Sequence, residues 1–151
     1  MHKRNIVHRD MKPENVLLES KEQEKMLCKI TDFGFSKFFD PREGMSDTLG
    51  SPLYMAPEII KKARYDHKVD IWSLGVMVYI LLTGRPPFSG RSKQEIFLQV
   101  SSAAINYNDP SWDTLSKESK NFVKRMLVRN PKQRASAEEL LNDDWIIMNQ
   151  D

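Results

Sequence analysis

The sequence lacks the features of a secreted or membrane-spanning protein. It has a single cysteine, Cys28, in 151 residues, so no internal disulfide forms and no cysteine-based metal site can be built. Long apolar runs are missing: the most apolar stretch, Val69 to Thr83, is short for a bilayer crossing and carries Asp70 and Ser73. The first ten residues include basic side chains but lead into no apolar run of signal-peptide length. These absences point to the cytoplasm or the nucleus and to no membrane role. An excess of one charge is also lacking. With 23 basic and 21 acidic side chains the net charge is +2, which gives no electrostatic case for nucleic acid. Glycine is sparse, with all six residues at or after Gly34, and no G-x-G-x-x-G occurs.

What is present suits one domain with a buried core: 40% hydrophobic residues, with three Trp, seven Phe and four Tyr to pack. Asn15 to Leu18 and Leu27 to Ile30 read as a small strand pair around a polar connection, in which Lys21 to Lys25 form a solvated turn. Cys28 on such an apolar strand is expected to be a buried, inert thiol, and the eight methionines to fill core. From Thr31 to Glu58 no period persists, and Gly34, Pro41, Gly44, Gly50, Pro52 and Pro57 interrupt the chain. An irregular segment of this length is usually functional. The pattern then turns helical. Apolar side chains from Val69 to Leu82 cover almost every helical direction, which predicts a central helix stopped by Gly84-Arg85-Pro86-Pro87. Ser92 with Glu95, and Ser136 with Glu139, have capping-box spacing. Phe122, Val123, Met126 and Leu127 form a stripe on a helix ahead of Pro131. The reading is a mostly α fold with one small β-hairpin and no internal repeat.

The chemistry concentrates in His8-Arg9-Asp10-Met11-Lys12-Pro13-Glu14-Asn15, followed by Asp32-Phe33-Gly34. Phosphoryl transfer needs a carboxylate to orient and accept the proton of an attacking hydroxyl, a cation at the transferring phosphate and oxygen ligands for magnesium. Asp10 fits the base, Lys12 the cation, and Asn15 and Asp32 the hard oxygen ligands of Mg²⁺. At roughly 1/20 per residue, the five fixed letters of H-R-D-x-K-x-x-N arise by chance about once in three million positions.

On these residues the sequence resembles the eukaryotic protein kinases. Gly50-Ser51-Pro52-Leu53-Tyr54-Met55-Ala56-Pro57-Glu58 looks like the substrate-binding end of their activation segment, Asp70-Ile71-Trp72-Ser73-Leu74-Gly75 like the start of their central helix, and Arg134 falls where a late arginine pairs with the Ala-Pro-Glu glutamate. Lys12 two places after Asp10, with Gly50-Ser51 ahead of Tyr54, is similar to the serine/threonine branch. Tyr79 to Phe88 and Trp112-Asp113 look like the calcium/calmodulin-dependent and calcium-dependent group, although Asp143-Asp144-Trp145 departs from the histidine that usually precedes the tryptophan.

The resemblance implies the large, mostly α lobe of a kinase over residues 1–146, with a tail at 147–151. It implies Asp10 and Lys12 as catalytic residues, and Lys12, Glu14, Asn15, Leu17 and Asp32 on the ATP side, with Leu17 under the adenine. Asn15 and Asp32 would hold Mg²⁺, and Ser51 and Tyr54 would contact a protein substrate. His8 would pack on Phe33, Asp70 would accept backbone N–H groups of the catalytic loop, and Glu58 would pair with Arg134. Arg9 would be held by an anion on the activation segment. The usual phosphorylation position holds Asp47, a built-in anion, with modification of Ser46 or Thr48 as its rival. The Gly-rich small lobe that clamps ATP is not in this sequence. The 151 residues alone are therefore expected to fold poorly and to be inactive, as a fragment of a longer kinase. A non-catalytic kinase-like binding module is the alternative, and a small-molecule kinase a weaker one. No D-x-[DN]-x-[DN]-G loop occurs, so any calcium-sensing region lies outside this chain.

Overall fold

The apolar helix read from the sequence is the axis of the fold. In the computed structural model, which describes residues 1–20 and 27–149, helix α2 runs Lys68–Thr83 and buries Val69, Ile71, Trp72, Val76, Met77 and Tyr79. Asp66 starts it by accepting the Lys68 N–H at 2.8 Å. Gly84 ends it in the left-handed conformation, φ 70°, which a glycine adopts without strain. At Gly75 a β-carbon would stand 2.8 Å from the Met126 β-carbon and 2.9 Å from a Leu127 methyl. The missing side chain is what lets α4, Lys117–Met126, press against α2.

Two apolar clusters form around α2. One joins Trp72, Val76 and Tyr79 to Phe88, Trp112, Val123 and Val100 of α3, Lys93–Ser102. Its Trp72 and Phe88 rings stack at 5.8 Å. The other joins Ile71 to Phe122, Met126, Ala135 and Leu140, closed by α5, Ala137–Leu141, and α6, Asp144–Ile147. The Ser136–Glu139 capping box forms in full. At α3 only half of it does: Ser92 accepts the Glu95 N–H, while the Glu95 carboxylate takes the Arg91 N–H instead.

The strands lie at the edge of this helical body. β2, Val16–Leu18, pairs antiparallel with β3, Cys28–Ile30, as the sequence predicts. The polar turn predicted for Lys21 to Lys25 lies outside the described residues. A second pair was not legible: β1, Ile6–Val7, joins β4, Lys37–Phe38. Two-residue strands are too short to leave a period, so the Thr31 to Glu58 stretch hides β4, a 3₁₀ turn at Phe33–Phe35 and helix α1, Pro57–Ile60. Cys28 corrects another expectation. It is exposed, because every residue of β3 is exposed and Leu17 and Leu18 beside it are more than half exposed. Nor do all methionines fill core, since Met148 is 69% exposed. Among the described residues no helix is long and apolar enough to cross a membrane.

Arg134 and Glu58 tie the carboxyl-terminal helices to the middle of the chain. The buried guanidinium donates to both Glu58 oxygens, at 2.7 and 3.0 Å, and to the Lys68 carbonyl at 2.8 Å, and it lies over the Trp72 ring. Replacing Arg134 with Met leaves the Glu58 carboxylate buried and unpaired. The expected loss is about 3–5 kcal/mol of unfolding free energy in urea titrations, and a loss below about 1 kcal/mol would show that the pair behaves as a solvated one.

Candidate active site

The site is built on a single carboxylate of α2. Asp70, in the helix's first turn, accepts the His8 N–H and the Arg9 N–H, each at 2.9 Å, and lies 2.8 Å from His2 Nε2. It thereby fixes the chain just after β1, where Arg9 is left-handed at φ 71°, a strained conformation that persists where the surroundings impose it. His8 is fully buried. Its Nδ1 accepts the Asp10 N–H at 3.3 Å, so the ring proton sits on Nε2 and is donated to the Thr31 carbonyl at 2.9 Å. Phe33 packs edge-on against the ring at 5.2 Å. His8 thus packs on Phe33, as read from the sequence, and also bridges to Thr31, which was not read.

Those anchors present Asp10 and Lys12 to one another. The Lys12 ammonium lies 2.7 Å from Asp10 Oδ2. The other carboxylate oxygen, Oδ1, accepts both the N–H and the hydroxyl of Ser51 at 3.0 Å. Gly50 makes this approach feasible: it has φ 114°, and a β-carbon there would lie 2.9 Å from the Arg9 carbonyl oxygen. Burial opposes ionisation of Asp10, but the bonds from Lys12 and Ser51 outweigh it and hold the carboxyl below its ordinary range. Lys12 is held more firmly protonated, first by its bond to Asp10 and further by the charges of Glu14 and Asp32.

Asn15 bonds within this loop, and the hairpin carries the chain to Asp32, whose charge acts on Lys12. Asn15 donates its amide N–H to the Asp10 carbonyl at 2.8 Å, and its own carbonyl accepts the Thr31 N–H at 2.9 Å. The β2–β3 register, Val16 opposite Ile30, thereby delivers Asp32 beside the loop. Asp32 is exposed and left-handed, φ 56°. One of its oxygens accepts the Gly34 N–H at 3.2 Å. Asn15 offers an amide oxygen and Asp32 a carboxylate, a hard-oxygen pair of the kind that holds Mg²⁺ together with phosphate and water. Among the described residues no cluster of three or more acids, histidines or cysteines could hold a metal alone. Leu17, in β2, is 55% exposed.

The anion read at position 47 also meets its arginine. Arg9 Nη1 donates to Asp47 Oδ2 at 2.7 Å, with Lys37 Nζ 3.6 Å away. The Asp47 carboxyl is held below its ordinary range by the Arg9 bond and then by the charge of Lys37. Ser46 and Thr48 are exposed. Tyr65 went unread. Its buried hydroxyl donates to the Asp47 carbonyl at 3.0 Å and accepts from Arg9 at 3.4 Å, holding both partners. A lone aromatic before a helix carries no sequence signal for that role. Tyr54 is half-buried, its carbonyl bound by the Ser73 hydroxyl at 2.7 Å. Burial and then the charge of Glu14 push its phenol above the ordinary range.

The protein kinase domain family profile matches residues 1–146, and the chain belongs to that family. It is 45% identical over 145 residues to calcium-dependent protein kinase 2 of Arabidopsis thaliana, covering 96% of this chain and 22% of that protein. It is 43% identical over 148 residues to calcium-dependent protein kinase 4 of Plasmodium falciparum, covering 98% and 28%. With calcium-dependent protein kinase 10 of rice the identity is 43%, covering 96% and 24%. The chain spans about a quarter of the length of these curated relatives.

Because two bonds from Ser51 help keep Asp10 ionised, Ser51→Ala is expected to raise the Asp10 titration midpoint, read by carboxyl ¹³C NMR. An unchanged or lowered midpoint would show that the serine hydroxyl does not act on that carboxylate.

Proposed function

We propose that this chain is the catalytic half of a serine/threonine protein kinase, transferring the γ-phosphate of ATP to a protein hydroxyl with Mg²⁺. The observation that carries the reading is the contact of a depressed carboxylate, Asp10, with a protonated amine, Lys12, at 2.7 Å. Bound ATP and Mg²⁺ supply the transferable phosphoryl group and the charge that neutralises it. Asp10 orients the incoming hydroxyl and takes its proton; Lys12, held charged, stands beside the negative charge of the phosphate. Asn15 and Asp32 hold the metal through oxygen. Leu17, exposed on β2, offers an apolar surface to the base of the nucleotide, and Glu14, exposed in the loop with its charge felt by Lys12 and Tyr54, serves the nucleotide side or a basic substrate side chain. Ser51 and Tyr54 line the approach of the protein substrate.

Asp47, bonded to Arg9, replaces a regulatory phosphate, so the activation segment is ordered without modification. Calcium dependence, which the relatives' names carry, comes in this reading from a sensing region outside the 151 residues. The protein works in the cytoplasm or the nucleus.

In the full-length protein, Asp10→Asn is expected to lower kcat by roughly 10²–10⁴-fold towards a serine- or threonine-containing peptide while ATP binding persists. Undiminished transfer contradicts the assignment, and no transfer by the unaltered full-length protein favours the non-catalytic module. The isolated 151 residues are expected to transfer no more phosphate than their Asp10→Asn control. For the built-in anion, Asp47→Asn lowers the full-length rate and Thr48→Ala leaves it unchanged; the reverse pattern assigns regulation to Thr48.

A further inference from the structure

The net charge of +2 conceals an uneven distribution. Two adjoining grooves lie outside the site described above. One, of about 390 Å³, runs beside Glu58 and carries Lys61 and Arg129. The other, of about 530 Å³, carries Lys68, Lys124, Arg125 and Lys132, with Arg134 in its wall. Val128 and Gln133 line both, so the basic residues form one continuous surface. Seven of the chain's 23 basic side chains share it with two acids, Glu58 and Glu139.

These two acids offset only part of that charge, Glu139 acting on Lys68 and Arg125. Glu58 is taken up by Arg134, and Glu139 accepts the Ser136 N–H in the α5 capping box. Of the cations, Arg134 and Arg125 are paired, the latter with Asp143. Lys68 donates to the Arg134 carbonyl and Lys124 lies over the Tyr107 ring. The side chains of Lys61, Arg129 and Lys132 are exposed and enter no ion pair among the described residues. A concave surface of unbalanced cations concentrates anions.

The character of the surface selects the anion. No aromatic residue lines either groove, so there is no platform on which bases could stack, and a concave face cannot project into a duplex groove. The three cations of the larger groove outside ion pairs, Lys68, Lys124 and Lys132, are all lysines, point charges that suit single carboxylates, whereas the two arginine forks of that groove are already occupied. Val128, Pro57, Ala63 and Pro131 give the grooves apolar floor between the charges. We propose that this surface docks an Asp/Glu-rich segment of a partner protein. The bound segment lies against Arg134 and Glu58, the pair that fixes the end of the activation segment.

The test uses the full-length protein and a fluorescein-labelled decaglutamate peptide, followed by fluorescence anisotropy across a salt series. Saturable binding is expected, weakening as salt rises. The Lys124→Glu/Lys132→Glu double variant should bind roughly tenfold more weakly. Arg91→Glu/Lys93→Glu, which changes net charge equally outside the grooves, should bind as the unaltered protein does. Lys124→Gln/Lys132→Gln, a milder change with circular dichroism as the folding check, should show an intermediate loss. Equal weakening by both charge-reversal pairs, absence of saturable binding, or tighter capture of a single-stranded oligonucleotide than of the peptide would overturn the proposal.

Discussion

The Asp70 carboxylate is the constraint on which the site depends. One side chain in the first turn of α2 holds two successive backbone N–H groups of the loop after β1, and a charged acceptor makes such bonds shorter and stronger than neutral ones. The strained Arg9 backbone and the orientation of His8 follow from those two bonds. From His8 the connection runs to Thr31, and from Asn15 to Thr31 again, so two residues of one loop grip the strand end that precedes Asp32. Asp10, Lys12 and Asn15 are brought into contact on a loop that one acid of a buried helix holds in place.

The segment from Met45 to Glu58 is pinned to the same body at three points of different chemistry. Its middle is held by Asp47 against Arg9, with Tyr65 between them. Ser51 is held against Asp10, through a glycine whose missing side chain allows the approach. Its end is held by the buried pair of Glu58 and Arg134. Arg9 and Asp10 are neighbours in the chain, so the first two points report on each other: an anion that orders Arg9 also sets where Ser51 meets Asp10. The Glu58 pair is more remote, and it links this segment to the core around Trp72 rather than to the loop.

Much of this was legible because it depends on residue types at fixed spacing. The H-R-D-x-K-x-x-N run named Asp10, Lys12 and Asn15, while the resemblance to the kinase family, and not that run, implied Asp70 as a backbone acceptor and Glu58 opposite Arg134. The continuous apolar stretch named the central helix because burial on all sides leaves no polar face. What escaped was set by tertiary contact alone. The β1–β4 pair has two residues a side and no period to read. Cys28 sits on an apolar strand, yet nothing among the described residues covers that strand. Tyr65 and Gly50 matter through what lies against them, 56 and 41 positions away in sequence. The basic grooves escaped because a near-neutral total hides a local excess.

Asp70 holds the loop that follows β1 through the amides of residues 8 and 9. Amide hydrogen exchange at those two positions, with and without Asp70→Asn, tests it most directly. Strong protection of both amides is expected in the unaltered protein and a joint, large loss of protection in the variant, while the amides of α4 change little. Solvent-like exchange at both positions before any substitution, or protection that survives the loss of the carboxylate charge, would contradict it.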